Sequence, residues 1–238
     1  MGFVRTTCTL ILLATLVGCA QAPARKAFNR EAGGHIKTVV VTQLPNQDSY
    51  EAAMLAHPGA NFGLIGGLIA AADMQNKSTK LTAAIDPQQT RLQDRFSEKL
   101  VQGLTAAGYS VSVLPVPTAA KEDQVLALAL PKATRVPDAV VMIDLRGAYW
   151  AAGPNTDYLP RLIAKVKTVD GAASVIYEDT FSYGFTPPSG KTVHMASDAQ
   201  YRFATIDQLI IDPTKTRDGL LSGLDPIVAQ IVADLKHD

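Results

Sequence analysis

The stretch DAVVMIDLRGAYW, residues 138–150, has the apolar character of a strand at the centre of a sheet. The next segment, RLIAKVKTV at residues 161–169, alternates between apolar side chains and the basic side chains of Arg161, Lys165 and Lys167. This alternation is typical of an antiparallel strand with one buried face and one face in water. The two segments therefore predict strands that form the middle of the fold.

Further strand signals lie on both sides of this pair. Asp170 and Gly171 supply a turn, and SVIYEDTFSYGF at residues 174–185 predicts the strand that completes a hairpin. Upstream, IKTVVVTQL at residues 36–44 predicts a buried first strand, and YSVSVLP at residues 109–115 predicts the second.

Helical patterns separate and follow these strands. The clearest covers residues 86–108, because an Asp-Pro pair supplies an N-cap and a proline in the first turn, and a glycine ends the pattern. Helices are also predicted at 118–130, at 198–210 and from 225 to the end. The order of strand, helix, strand, helix, three strands and then helices predicts an α/β fold. We expect a single mixed-sheet sandwich with helices on at least one face.

The amino terminus resembles the leader of bacterial lipoproteins. A short positively charged start is followed by the apolar run Thr9–Val17 and by a cysteine, Cys19, after a small residue. This pattern predicts a signal peptide over residues 1–18 and lipidation of Cys19. Residues 19–35 are mixed in character and predict a flexible tether, which leaves residues 36–238 as a single periplasmic domain.

Composition narrows the possible partners and the location. The chain has 22 basic and 22 acidic residues, so no net charge favours nucleic acid. Of its two cysteines, Cys8 leaves with the signal peptide, and no disulfide is expected. The alanine at position 20 favours an outer-membrane lipoprotein facing the periplasm. The expected partners are the membrane, through the lipid anchor, and envelope proteins or a second copy of the chain.

The stretch HPGANFGLIGGLIAAADM, residues 57–74, places Gly59, Gly63, Gly67 and Ala71 at a spacing of four residues. On a helix this spacing forms one small face that lets another helix approach closely. Three interpretations stay open: a buried or self-associating helix of the domain, a membrane-contacting or oligomer-forming element, and a glycine-rich mobile loop.

Aromatic residues mark a second possible contact surface. AYWAAGPNTDYLP, residues 148–160, contains Tyr149, Tyr158 and the only tryptophan, Trp150, around a turn. Such rings either anchor a partner or cap the core at the ends of strands. The irregular segment TPPSGKTVHMAS at residues 186–197 is a further surface candidate.

The sequence carries no recognisable catalytic or metal motif. The four histidines are far apart: His35, His57, His194 and His237. Ser222 lies between glycines but lacks the spacing of a nucleophile elbow. Asp144 interrupts an apolar strand and is more typical of a structural carboxylate than of a catalytic acid. No cofactor and no metal is expected.

The chain resembles a group of bacterial envelope lipoproteins whose fold is like the amino-terminal domain of the TolB translocation protein and the periplasmic domain of the curli secretion lipoprotein. The likeness lies in the lipobox and in IKTVVVTQLP, LTAAGYSVSVLPV, PDAVVMIDLRGAYW and IAKVKTVDGAASVIYEDTFSYG. It implies a non-enzymatic binding or accessory component of an envelope assembly, in transport, secretion or envelope maintenance. The alternatives are a cell-envelope hydrolase using the region of Asp144 and Tyr149, and a homo-oligomeric secretion or pore component using the glycine-rich segment.

Overall fold

The computed structural model of the chain describes residues 25–118, 120–130, 137–186 and 192–236. Within these residues, helices pack on one mixed sheet of seven strands. The strands are β1 (Thr38–Gln43), β2 (Glu51–Met54), β3 (Ser110–Pro115), β4 (Ala139–Ala151), β5 (Leu159–Asp170), β6 (Val175–Gly184) and β7 (Val193–Met195). The helices are α1 (Arg30–Gly33), α2 (Gly63–Ile85), α3 (Pro87–Thr90), α4 (Leu92–Ala106), α5 (Glu122–Ala129), α6 (Ile206–Ile211), α7 (Pro213–Leu221) and α8 (Leu224–Leu235). The predicted α/β class is confirmed.

The sheet is arranged around β4. The strand order is β3-β1-β4-β5-β6-β7, with β1 parallel to β3 and β4, and with β4, β5 and β6 antiparallel in turn. One edge of β4 pairs with β5 along nearly the whole strand. The other edge of β4 pairs with two short strands. On that edge β1 pairs with Ala139–Val141, and β2 pairs with Ala148–Ala151. A gap in the strand pairing separates them.

Side chains of β4 alternate between the two faces of the sheet, as its period of two requires. Val141, Leu145 and Tyr149 belong to the main core, which the helices α2, α4 and α8 help to form. On the other face, Val140 packs with Ala129 of α5 in a smaller cluster. The expectation of helices on at least one face is therefore confirmed, and helices cover parts of both faces.

Two predicted helices are interrupted. The helix expected over 86–108 is divided into α3 and α4 at Arg91, whose φ of 44° is left-handed. The helix expected over 198–210 is wrong in its first part, because Phe203 exchanges two backbone hydrogen bonds with Tyr158. Pairing with a distant segment prevents the helical ladder from forming there, and α6 begins only at Ile206.

The sequence did not indicate β2 or the second half of α2, and the structure joins these two elements. The N–H of Ala52 donates to Ser78 Oγ at 3.0 Å, and the N–H of Tyr50 donates to Thr82 Oγ1 at 2.9 Å. Two hydroxyls one helical turn apart therefore satisfy the backbone donor of Ala52 in β2 and that of Tyr50 just before the strand. This contact holds the carboxyl-terminal half of α2 beside the sheet, and the amino-terminal half of the helix extends past Ala52.

The segment predicted as a tether is partly folded. Lys26 and Glu178 exchange backbone hydrogen bonds of 2.7 and 2.9 Å, and Arg25 Nε lies 2.7 Å from Asp179 Oδ2. Phe28 packs against the main core. Residues 25–35 therefore contact the domain, and the tether predicted over residues 19–35 stays a prediction. The signal peptide, Cys19 and its lipidation lie outside the described residues and stay predictions.

Candidate functional site

The N-cap residue of α2, Phe62, and the first half of the helix carry large apolar side chains on their solvent side. Phe62, Leu64, Ile65, Leu68 and Ile69 are 77, 83, 74, 64 and 62% exposed, respectively. We call these five side chains the apolar tip. No Asp, Glu, Lys or Arg occurs between residues 52 and 72 to hydrate this surface. Contiguous apolar surface of this kind usually marks a contact site in a water-soluble protein.

The opposite side of the same helical turns packs against the chain itself. Gly66 is buried against the 3-10 turn Pro58–Asn61, and a Cβ at Gly66 would lie 2.2 Å from the carbonyl oxygen of Gly59. His57 stabilises this turn, since its Nδ1 accepts the N–H of Gly59 at 3.0 Å and its Nε2 lies 3.1 Å from Asp73 Oδ2. The apolar tip therefore stands on a fixed base.

The predicted seam of small residues is divided between two elements. Gly59 lies in the 3-10 turn and not in the helix, so a continuous helical seam of four residues is wrong. Outside their own helix, a Cβ on Gly63 or Gly67 would meet no atom within 4 Å, and Ala71 is exposed. The loop interpretation is also wrong, because α2 begins at Gly63. Contact of this open face with another molecule stays a prediction.

Of the three aromatic candidates, Tyr149 and Tyr158 lie in the core. Tyr149 is fully buried and donates its hydroxyl to the carbonyl of Thr216 at 2.6 Å, and burial raises its pKa well above the usual range. Neither of these two rings is exposed for partner contact, and contact through Trp150 stays a prediction. Trp150 lies on the opposite face, where its indole N–H donates to Glu51 Oε2 at 3.1 Å.

A polar cavity of about 870 Å³ lies beside the gap between β1 and β2. Amide and hydroxyl side chains of the loop 44–50 and of α2 line it, together with Arg146 and Arg161. In the sheet, β3 lies on one side of β1 and β4 lies on the other side. The strand order therefore reverses between β1 and β4. Open α/β sheets bind ligands at such switch points, beyond the carboxyl ends of the strands.

Two glutamines hold this gap open. Gln47 donates from Nε2 to the carbonyl of Gly147 at 3.0 Å, and its Oε1 accepts the N–H of Gly147 at 2.9 Å. Gln93 donates from Nε2 to the carbonyl of Leu145 at 3.3 Å. These side-chain amides replace the peptide groups of a missing strand, so β4 keeps its hydrogen bonds without a strand filling the cavity.

The sequence predicts no role in binding for the cavity residues. Arg161 is predicted only as one of several basic side chains on the exposed face of a strand, and no role is predicted for Gln47 or Gln93. Glutamine is common on protein surfaces, so its type alone carries no signal. The one available indication was the position of residues 44–50 directly after a buried parallel strand, where α/β folds place ligands.

The residues considered for catalysis do not form a common site. Asp144 and Tyr149 point to opposite faces of β4, so they cannot act on one substrate together. Asp144 Oδ1 accepts a hydrogen bond from Arg146 Nε at 2.9 Å near the surface. Ser222 donates to the carbonyl of Gly219 at 2.9 Å, a local structural contact.

His194 lies in the segment 186–197, of which residues 187–191 fall outside the described residues. Its Nδ1 lies 2.8 Å from Thr186 Oγ1 and 3.3 Å from Ser182 Oγ. Within the described residues no carboxylate is hydrogen-bonded to His194, and Ser182 is fully buried. A nucleophile, a base and an orienting group are therefore not assembled there.

The residues that the structure describes contain no group of three or more His, Cys, Asp or Glu side chains placed to hold a metal ion. In the same residues, no helix combines the length and the apolar character that crossing a membrane requires.

Comparison with protein-family models gives no match for this chain, and comparison with curated proteins gives none either. The resemblance to envelope lipoproteins therefore stays a prediction. The two candidate sites, the apolar tip and the polar cavity, are therefore identified from the geometry of the structure.

Proposed function

We propose that this protein is a lipid-anchored, non-enzymatic component of the bacterial cell envelope, and that it works by binding another protein through the apolar tip. The observation that carries the proposal is the exposure of five large apolar side chains on one side of α2. The leader pattern that ends at Cys19 supports the envelope location.

The shape of the tip favours a helix as the contacting element. Gly67 and Ala71 form a small ridge beside Leu64 and Leu68, and the space above Gly67 is open. A small ridge lets a second helix come close, while flanking large side chains pack against its sides. A second copy of α2 offers the same ridge, so a two-fold symmetric pair is the second candidate for the contact.

The size of the tip indicates a partner that covers more than α2. Burying one large apolar side chain contributes about 1.5–3 kcal/mol, whereas association costs about 4–15 kcal/mol in lost freedom. Burial of the five side chains of the apolar tip therefore offsets the cost of association without a large net gain in binding free energy. Leu55 and Ile211 are also exposed, by 50 and 80%, and Ile211 lies on α6, which packs against α2.

Site-specific photo-crosslinking in bacteria that make the full chain tests the contact. A benzophenone amino acid at Leu68 should give discrete protein adducts, which mass spectrometry then identifies. The same probe at Asn76, exposed on the polar half of the same helix, should give none. Leu64→Glu together with Leu68→Glu should abolish the complex that carries the adducts, without unfolding the domain, because neither side chain is buried.

The identity of the adduct decides between the two forms of contact. An adduct with another envelope protein supports the accessory role, and an adduct with a second copy supports the homo-oligomeric form. Crosslinks to lipid alone, or equal adducts at Leu68 and Asn76, would contradict the proposal. Cys19→Ser tests the anchor separately: the variant should leave the membrane fraction, and full retention there would argue against lipidation.

A further inference from the structure

The polar cavity contains an arginine without an ion-pair partner. The guanidinium carbon of Arg161 lies 4.2 Å from the centre of the Trp150 ring. Its Nε is buried and has no hydrogen-bond partner in the described part of the chain. Burial also lowers its pKa, which means that the charged guanidinium is poorly solvated where it stands. Because Arg161 also lines the cavity, an oxyanion that enters the cavity would supply the missing charge partner.

Two acidic side chains, Asp48 and Glu51, line the cavity, and no ion pair between Asp48 and Arg161 is among the described contacts. Glu51 favours the charged form of Arg161 from a distance, but its carboxylate accepts the Trp150 indole N–H, and no ion pair joins Glu51 to Arg161 among the described contacts. Asp144 is paired with Arg146. Arg161 is therefore the cavity's available guanidinium, and its stacking on Trp150 fixes the orientation of the planar group.

The rest of the cavity suits a hydroxylated molecule. Hydroxyl and amide side chains such as Ser49, Gln75 and Thr79 line it, and apolar side chains add to the wall: Leu44, Pro45, Ala83 and Ala148. Its volume of about 870 Å³ falls within the range of sites for small molecules, which is roughly 300–1,000 Å³. The side-chain amide of Gln47 is hydrogen-bonded to Gly147 through both its nitrogen and its oxygen. This part of the cavity wall is therefore in place without a ligand.

We infer that this cavity binds a small hydroxylated molecule carrying a carboxylate or a phosphate group, and that the guanidinium of Arg161 holds the oxyanion of that group. The inference does not depend on the apolar tip, since the two features use different side chains. It adds a ligand site to a protein for which we propose a contact function.

The chain contains its own reporter for this site. Trp150 is the only tryptophan and lies against Arg161, so its fluorescence should respond when an anion meets the guanidinium. The full chain in detergent would be titrated with glucuronate, which carries a carboxylate, and with glucose 6-phosphate, which carries a phosphate. Glucose is the uncharged control, and sodium chloride at equal ionic strength controls for screening.

We expect a saturable fluorescence change with one or both charged sugars and none with glucose. Arg161→Gln should weaken binding by at least about tenfold, the effect of losing a charge-assisted hydrogen bond. Arg95→Gln, which removes an exposed arginine on α4 away from the cavity, should leave binding unchanged. The preferred sugar then assigns the oxyanion as carboxylate or phosphate.

Calorimetric titration of the same samples checks that the signal reports binding. If Arg161→Gln does not fold, Arg161→Lys keeps the positive charge but loses the planar group, and it should bind several-fold more weakly than the natural chain. The absence of a saturable response to both charged sugars would overturn the inference. Equal affinity for glucose, or unchanged affinity in the folded Arg161 variant, would overturn it as well.

Discussion

Gly66 and Gly67 are neighbours in α2, but their surroundings are opposite. A Cβ on Gly66 would lie 2.2 Å from the carbonyl oxygen of Gly59, whereas a Cβ on Gly67 would meet nothing within 4 Å. Gly66→Ala should therefore lower the free energy of unfolding by about 1–3 kcal/mol through overpacking. Gly67→Ala should raise it by up to about 1 kcal/mol, since alanine favours the helix.

Urea unfolding of both variants measures this difference between adjacent positions. A Gly66→Ala variant as stable as the natural chain would show that the turn Pro58–Asn61 does not hold α2 at this point. Gly67→Ala is the matched control, because it introduces the same methyl group one residue away. The spacing of glycines in the sequence identified the segment, but spacing alone could not show which glycine is in close contact.

At the scale of elements, α2 replaces a strand at the edge of β2. Ser78 and Thr82 accept the N–H groups of Ala52 and Tyr50. Ser78→Ala combined with Thr82→Val should leave both donors unpaired and lower the free energy of unfolding by about 1–3 kcal/mol for each of them. Hydrogen exchange at the amides of Ala52 and Tyr50 should become faster.

Thr79→Ala provides the control for this pair on the same helix. Its hydroxyl donates to the carbonyl of Gln75 within α2 and supports no strand. The change should leave the exchange rates at Ala52 and Tyr50 unaltered. Unchanged exchange in the Ser78 and Thr82 variant would contradict the proposed edge contact.

The elements that the sequence predicted share a strong local pattern. The alternation in RLIAKVKTV and the turn at Asp170 and Gly171 led to the hairpin of β5 and β6, which the structure confirms. β2 was missed because four residues, EAAM, are too few to show a period. The break at Arg91 was missed because an otherwise regular helical pattern runs through it.

At the scale of the whole molecule, Asp138 joins two distant parts of the chain. Its Oδ2 accepts the N–H groups of Lys37 and Thr38, both at 2.8 Å, and its own N–H donates to Thr38 Oγ1 at 3.0 Å. The N–H of Lys37, followed by that of Thr38, holds the pKa of Asp138 below its ordinary value of 3.8. These three hydrogen bonds, which we call the Asp138 clasp, align the starts of β1 and β4.

This clasp should make stability depend on pH in the acid range. Since the pKa is lowered in the folded state, the stabilisation is fully present above the ordinary value of 3.8 and is lost as pH falls through the lower folded value. Asp138→Asn should lower the free energy of unfolding by about 1–2 kcal/mol at pH 7. The difference from the natural chain should shrink at pH 3 or below.

Urea unfolding at pH 7 and at several pH values from 4 to 2 tests this dependence. Asp157→Asn removes an exposed carboxylate for which no side-chain hydrogen bond is found in the described residues, and it should behave as the natural chain does. A deficit in Asp138→Asn that stays constant down to pH 2 would show that the carboxylate charge does not strengthen the clasp.

The polar cavity shows most clearly where prediction from sequence ends. Its walls come from residues near 47, 79, 93, 146 and 161, which the topology brings together from four elements and a loop. The mixed sheet could be inferred from patterns within single segments. The pairing of Gln47 with Gly147 spans a hundred positions of the chain and leaves no local trace in either segment.

The folded segment before β1 has a mechanical consequence. If Cys19 is tied to a membrane, any pulling force enters the domain at Arg25 and is carried first by the Arg25–Asp179 ion pair and the Lys26–Glu178 backbone bonds. These contacts would yield before the long β4–β5 ladder carries a load. Residues 25–35 would then detach from the domain and extend. This extension of the segment closest to the anchor would relieve the tension on the remaining sheet.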